Sequence, residues 1–117
     1  MLPDWKRSLK RLAECPNVSV KLGGLGMIVC GAEWHLGERP PSSEQLADDW
    51  RPLFDSVVEI FGTRRCMLES NFPVDKAMWS YWVLWNAFKR LTAAFSADER
   101  DDLFRGTANR FYRLGLR

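Results

Sequence analysis

The amino-acid sequence predicts an α/β fold in which two parallel strands alternate with helices. Residues 18–22 and 65–69 have the length and the β-branched or apolar composition that are typical of strands. Segments with apolar residues at helical spacing lie before, between and after these two runs. Strands that are joined through a helix pair in parallel by a right-handed crossover, so the two strands are expected to be neighbours in one sheet.

Residues that typically start and stop helices bound the helical segments. Ser42 and Gln45 form a capping-box pattern, Gly62 is a natural helix stop, and Ser96 with Glu99 repeats the capping pattern before a last helix. The predicted apolar faces are, helix by helix, Trp5, Leu9, Leu12 and Ala13; Leu46, Trp50, Leu53, Phe54, Val57 and Phe61; Tyr81, Leu84, Phe88, Leu91 and Phe95; and Leu103, Phe104, Ala108, Phe111 and Leu114.

Residues 27–41, between the first strand and the second helix, show no period and contain Gly31, Gly37, Pro40 and Pro41. Irregular loops longer than about 12–15 residues are uncommon in compact domains and often carry function. We therefore expect this segment to be a functional loop.

Charge and composition exclude several classes of protein. The net charge is +2 with no long run of one sign, which argues against a nucleic-acid partner. No apolar stretch approaches the roughly 20 residues that cross a bilayer, and the amino terminus has no signal pattern. Three cysteines that lie far apart and a single histidine do not have the spacing of a zinc site. A cytoplasmic protein with reduced cysteines and no membrane partner is expected.

The predicted sheet is too small for the helices that accompany it. Two parallel strands leave a bare edge on each side, and parallel sheets are normally buried on both faces. The apolar stripes of the helices would cover a wider sheet than two strands provide. We therefore expect residues 1–117 to be one segment of a larger α/β domain.

Two motifs coincide with the predicted strands and the loops that follow them. These are PNVSVKLGGLG at residues 16–26 and RCMLESNFPVDK at residues 65–76, accompanied by PSSE at 41–44 and LWNAFKR at 84–90. The motifs resemble the seventh and eighth strands of lactonase-like TIM-barrel hydrolases in the amidohydrolase superfamily. The resemblance runs from Trp5 to Leu114 and implies a partial TIM barrel, the C-terminal segment of a (β/α)8 domain.

The resemblance implies that the complete protein hydrolyses a lactone or related cyclic ester of a small organic acid, with water attacking a polarised carbonyl. Many of these hydrolases have an Asp at the end of the eighth strand, which acts as a base and contacts a divalent metal in metal-dependent members. Asn71 stands at that position, and a neutral Asn orients a carbonyl or a water without accepting a proton. Asn71 is the predicted catalytic residue, and its presence weakens a metal-dependent mechanism.

The family's first-strand His-x-His and later histidines have no counterpart in residues 1–117. The isolated chain is therefore expected to be inactive and to hold no metal or other cofactor by itself. Its expected partner is the missing N-terminal portion of the barrel or, through the exposed strand edges, a second copy.

Strand alternation adds further candidates for substrate binding. Lys21 and Glu69 are expected to face inward near the carboxyl ends of the two strands, where they bind a substrate carboxylate or form a structural ion pair. Asp75 is predicted to contact substrate, with the N-cap of a helix that begins near Lys76 as the alternative. For Asn71, a turn-forming role is the alternative.

Trp34 and His35 are predicted to form a lid over the organic acid, with a solvated histidine as the alternative. Two other functions remain open from the residues alone. One is a non-catalytic remnant or interaction module that recruits another chain through its strand edges and tryptophans. The other is a decarboxylase on the same scaffold.

Overall fold

The computed structural model of the protein describes residues 2–117, apart from the side chain of Val29. Two short parallel strands, flanked by helices, form a two-stranded sheet, which confirms the predicted α/β class. The elements are α1 (Leu2–Ala13), β1 (Val20–Leu22), α2 (Ser43–Phe61), β2 (Cys66–Leu68), α3 (Tyr81–Leu91), α4 (Ala97–Asp101) and α5 (Thr107–Tyr112). In the part of the chain that is described, no helix has the length and apolar character needed to span a membrane.

Both strands are shorter than the sequence predicts, because the residues that precede them are used in turns. The amide of Val18 donates to Cys15 O at 3.2 Å, and the amide of Arg65 donates to Gly62 O at 3.2 Å. After the strands, the amide of Glu69 donates to Leu22 O at 3.1 Å and continues the pairing by one residue. Cys66 and Met67 are both buried, as expected for a strand that is covered on two faces.

The predicted helix boundaries are confirmed where they rest on capping residues. The amide of Ser42 donates to Gln45 Oε1 at 2.9 Å, and the amide of Gln45 donates to Ser42 Oγ at 3.2 Å. Ser96 and Glu99 make the same reciprocal pair at the start of α4. Gly62 ends α2 with a φ of +76°, a conformation that favours glycine. Residues 27–41 form an irregular segment with two single turns of 3₁₀ helix.

The chain divides into two compact units. The first consists of residues 2–21, 52–67 and 95–117. In this unit Arg65 donates to Ala13 O at 3.0 Å and to Cys15 O at 3.1 Å, and its guanidinium lies 5.1 Å from the centre of the Phe61 ring. The Arg65 side chain therefore satisfies one carbonyl at the end of α1 and one in the turn after it, and it also packs on an aromatic ring of α2.

The predicted apolar face of the last helix is wrong at Phe111 and Leu114. Residues Asp102–Gly106 form a π-helical turn, which contains one more residue than an α-helical turn and rotates the positions that follow. Leu103, within this turn, and Thr107, directly after it, are buried, whereas Phe111 is 52% exposed. The helix ends at Tyr112, so Leu114 lies outside it and is also exposed.

The second unit consists of residues 22–51 and 68–94 and contains an aromatic core. The Trp50 ring lies 5.2 Å from the Trp79 ring in an edge-to-face arrangement and 5.8 Å from Phe88. Two members of the predicted α3 stripe are placed differently from the prediction. Tyr81, at the first turn, is half exposed, and Phe95 follows the end of α3 and pairs with Phe54 in the first unit.

Burial gives the three thiols different reactivity. Cys66 is fully buried, and burial raises the pKa of its thiol to about 12, whereas Cys15 and Cys30 are exposed. Since the thiolate is the reactive form, a disulfide reagent at pH 8 is expected to label two thiols rapidly in the native chain and the third only after unfolding. A Cys66→Ala variant should still have two thiols per chain that the reagent labels rapidly. Rapid labelling of all three thiols in the native chain would show that Cys66 is accessible.

Candidate functional site

The candidate site is built on the turn that follows β2. Asn71 has a φ of +52°, a left-handed conformation that Asn adopts more readily than most residues. The carbonyl of Asn71 accepts from the amide of Asp75 at 3.1 Å, and the hydroxyl of Ser70 accepts from the amide of Phe72 at 3.2 Å. The turn-forming alternative for Asn71 is thus confirmed. That role concerns its backbone and leaves the side chain for other interactions.

The side chains of Asn71 and Asp75 form a short hydrogen bond. Asn71 Nδ2 donates to Asp75 Oδ1 at 2.7 Å. When Asp75 is ionised its oxygens only accept, so the amide nitrogen of Asn71 faces it and the amide oxygen does not. The pair joins the predicted catalytic residue to one of the predicted substrate-binding residues.

Asp75 is only 1% exposed, which is unusual for a carboxyl group. Burial raises its pKa above the ordinary value, the hydrogen bond from Asn71 lowers it, and the negative charge of Glu69 raises it again. The backbone amide of Gly26 also lowers the pKa. Oδ2 nevertheless has no partner at hydrogen-bonding geometry among residues 2–117.

The helix-capping alternative for Asp75 is wrong. Asp75 lies inside a 3₁₀ turn over Val74–Ala77, and α3 begins later, at Tyr81. Ser80 caps that helix, because its hydroxyl accepts from the amide of Val83 at 3.2 Å. The carboxylate of Asp75 is turned toward Asn71 instead.

Glycines after β1 let the two loops approach each other closely. A Cβ atom on Gly26 would overlap Cη2 and Cζ2 of the Trp79 ring and lie 3.0 Å from Asp75 Oδ2. A Cβ atom on Gly24, whose φ is +75°, would lie 3.6 Å from Asn71 Nδ2. The roles of Gly26 and Trp79 were not predicted; the glycine spacing after the strand was the available signal, but it does not identify the residue that it accommodates.

Glu69 lies beside the first of these glycines. A Cβ atom on Gly23 would overlap Glu69 Cγ and lie 2.7 Å from the Glu69 carbonyl oxygen. Lys21 is in β1 with an exposed side chain, and Glu69 is half-buried directly after β2. Their role in substrate carboxylate binding stays a prediction, as does the ion-pair alternative.

Trp34 and His35 lie together in one 3₁₀ turn, Trp34–Leu36. Trp34 is half-buried and His35 is exposed. An exposed turn in the irregular segment is compatible with either a lid or a solvated histidine, so the lid stays a prediction.

The described residues do not contain a complete metal site. No group of three or more His, Cys, Asp or Glu side chains in residues 2–117 is arranged to hold one. The Asn71 amide donates a hydrogen bond to the carboxyl group of Asp75. A cation that bound this oxygen in place of the amide would have to break that bond.

The chain is similar to known proteins both in sequence and in fold. The family model described as Amidohydrolase matches residues 1–114. An uncharacterised protein of Sinorhizobium fredii, y4mH, is 42% identical over 94% of this chain and 33% of its own length. The L-fucono-1,5-lactonase of Burkholderia multivorans is 35% identical over 97% of this chain and 36% of its own length.

Two crystal structures of an amidohydrolase from Burkholderia multivorans are similar in fold. One, with bound zinc, superposes with a TM-score of 0.79 at 33% identity, over 96% of this chain and 37% of that chain. The other, with bound HEPES, has the same TM-score at 34% identity and the same coverage. The chain spans about a third of the length of the curated relatives that it matches.

Proposed function

We infer the function of this chain from one premise, that it belongs to the amidohydrolase family. We propose that residues 1–117 form the C-terminal segment of a (β/α)8 barrel, in which β1 and β2 are neighbouring strands. The parallel pairing of the strands, the helices around them and the partial coverage of longer relatives all support this arrangement. The completed barrel hydrolyses a lactone or related cyclic ester of a small carboxylic acid.

The observation that carries the proposal is the cluster formed by the loops after β1 and β2. In barrels of parallel strands, active sites are built from the loops at the carboxyl ends of the strands. Gly24 and Gly26 come from one such loop, and Asn71 and Asp75 come from the other. A Cβ atom on Gly24 would lie 3.6 Å from Asn71 Nδ2, and a Cβ atom on Gly26 would lie 3.0 Å from Asp75 Oδ2. Asn71 is accordingly proposed as the residue that orients the reacting water or the carbonyl.

The other predicted residues are proposed to surround the substrate. Lys21 and Glu69 bind its carboxylate end, Trp34 and His35 cover it, and Asp75 belongs to the site through its bond with Asn71. In the reaction, the water oxygen bonds to the carbonyl carbon, the bond from that carbon to the ring oxygen breaks, and the ring oxygen leaves as a hydroxyl group. The products are one hydroxy-carboxylate and one proton.

A chimera tests this function. Residues 1–114 replace the matching segment of the Burkholderia multivorans L-fucono-1,5-lactonase, and acid release is followed on a panel of sugar and dicarboxylic lactones. We expect ring opening of at least one lactone, with no release of carbon dioxide from the corresponding acids. A chimera that is folded by circular dichroism and monodisperse, yet opens no lactone that the parent lactonase opens, contradicts the proposal.

The lid makes a separate prediction in the same chimera. His35→Ala is expected to raise KM severalfold with kcat nearly unchanged, because a lid contact that is equal in the ground and transition states affects binding alone. His35 is exposed, so stability should not change. Lys89→Ala, on the exposed face of α3, is the control. Identical kinetics for His35→Ala and the parent chimera would remove His35 from the site.

A further inference from the structure

We propose that Asp75 is a positioning residue, which holds the carboxamide of Asn71 so that Asn71 Oδ1 is presented to the reacting water as a fixed acceptor. The identity of the water rests on the proposed function. The fixed orientation of the amide does not, because it follows from the bond between the two side chains.

The first argument is the geometry of the amide. A carboxamide is planar, so a bond that fixes Nδ2 fixes Oδ1 as well. The bond from Asn71 Nδ2 to Asp75 Oδ1 is 2.7 Å long, and when the carboxyl group is ionised such a bond is stronger than one between neutral groups. If the amide were free to turn over, a donor would replace the acceptor at the same place in the site. Asp75 prevents that exchange.

The second argument is the burial of Asp75. With 1% exposure the carboxyl group does not reach a substrate directly, so it acts through Asn71. Gly26 makes this burial feasible, since any larger residue there would bring a carbon within 3.0 Å of Oδ2. A buried carboxyl oxygen that lacks a partner within the described chain opposes folding. The buried carboxyl group of Asp75 therefore fits a role in positioning the Asn71 amide better than a role in stabilising the fold.

The third argument concerns charge. The resembling hydrolases commonly have a carboxylate at the position of Asn71, whereas here the neutral amide has a carboxylate behind it. A charged partner on Nδ2 polarises the amide and strengthens Oδ1 as an acceptor. The arrangement thus presents a strong acceptor that does not take up a proton. Glu69 is an acidic group that acts on Asp75, and its negative charge opposes ionisation of the Asp75 carboxyl group.

Nitrogen-15 NMR of the side-chain amides tests the pairing in the 117-residue chain, without any activity. The resonances of Asn71 Nδ2 are expected to titrate with Asp75, with a midpoint above the ordinary carboxyl value of 3.8. Asn109 is a matched control, because its Nδ2 donates at the same 2.7 Å to the backbone carbonyl of Leu116, which does not titrate in this range. The Asn71 titration should disappear in Asp75→Asn and persist in Asp55→Asn, which alters an exposed carboxyl on α2. Asn71 resonances that stay constant over the whole pH range in which the chain is folded, or that titrate equally in Asp75→Asn, would overturn the proposal.

The lactonase chimera tests the catalytic consequence. Asp75→Asn leaves an oxygen that still accepts from Asn71 but removes the charge and allows either amide to turn, so we expect kcat to fall by about 10- to 100-fold with little change in KM. Asp55→Asn should behave as the parent. A kcat for Asp75→Asn within twofold of the parent would overturn the positioning role. A folded parent chimera without any lactone hydrolysis would contradict the proposed function alone, and the NMR titration would then decide the pairing.

Discussion

Replacing Trp50 by alanine is expected to lower the free energy of unfolding by about 3–5 kcal/mol, the usual range for removing a buried Trp or Phe side chain. Trp50 is 4% exposed and packs edge-to-face against Trp79 and beside Phe88, so its removal leaves a cavity within the aromatic core of the second unit. Trp79 in turn lies over Gly26, so the loss of Trp50 should also loosen the loop that carries the candidate site.

Trp82→Ala is the matched control for this prediction. Trp82 is 76% exposed on α3, and its removal should change the free energy of unfolding by no more than about 0.5 kcal/mol. Denaturant unfolding followed by circular dichroism measures both variants without relying on the tryptophan signal. Similar destabilisation by the two substitutions would contradict the described core.

Gly26→Ala is expected to destabilise the chain by about 1–3 kcal/mol or more, the cost of overpacking a filled interior. The added methyl group would overlap two carbon atoms of the Trp79 ring, which is 2% exposed and held against Trp50. The same methyl group would press on Asp75 Oδ2, so the bond from Asn71 to Asp75 should weaken as well.

Gly37→Ala serves as the control for this second substitution. Gly37 has a φ of −78°, which any residue adopts, and a Cβ atom there would meet only backbone oxygens at 3.4 and 3.5 Å. We expect the free energy of unfolding to stay nearly unchanged or to rise slightly, because alanine restricts the conformations of the unfolded chain. Equal loss of stability in the Gly26 and Gly37 variants would show that the loop after β1 is not tightly packed.

The sequence predicts the helix boundaries well because they depend on residues that are close along the chain. Ser42, Gln45, Ser96 and Glu99 satisfy free backbone groups within one turn, so a four-residue pattern contains all the necessary information. The π-helical turn at Asp102–Gly106 lacks such a pattern. In the structure Asp102 accepts from Thr63 Oγ1 at 3.0 Å, and Thr107 Oγ1 donates to Thr63 O at 2.9 Å. These contacts span about 40 residues, so a search for helical periodicity does not find them.

The candidate site was predicted only in part for the same reason. The sequence identifies Asn71 and Asp75 as separate candidates and leaves helix capping as an alternative for Asp75. The pairing requires the left-handed turn at Asn71, and the burial requires Trp79 and Gly26 to enclose the carboxyl group. Side-chain enclosure of this kind comes from residues on two separate loops, and a single-sequence pattern does not specify it.

The site depends on the pairing of Asn71 with Asp75, and a double-mutant cycle on the free energy of unfolding at pH 7 tests that pairing most directly. Asn71→Asp places two carboxyl groups within hydrogen-bonding distance and should destabilise the chain, because like charges in contact oppose ionisation of both groups. Adding Asp75→Asn restores one amide and one carboxylate in exchanged positions and should recover much of the loss.

Asp75→Asn alone should stabilise the chain increasingly as the pH rises. Since the folded-state pKa of Asp75 is raised, its contribution to stability is present below the ordinary carboxyl pKa and is lost as the pH rises through the raised value. We predict a coupling energy of about 1–3 kcal/mol between positions 71 and 75. Effects that add within about 0.3 kcal/mol, so that the double variant recovers no more than Asp75→Asn contributes alone, would show that the two side chains do not act as a pair.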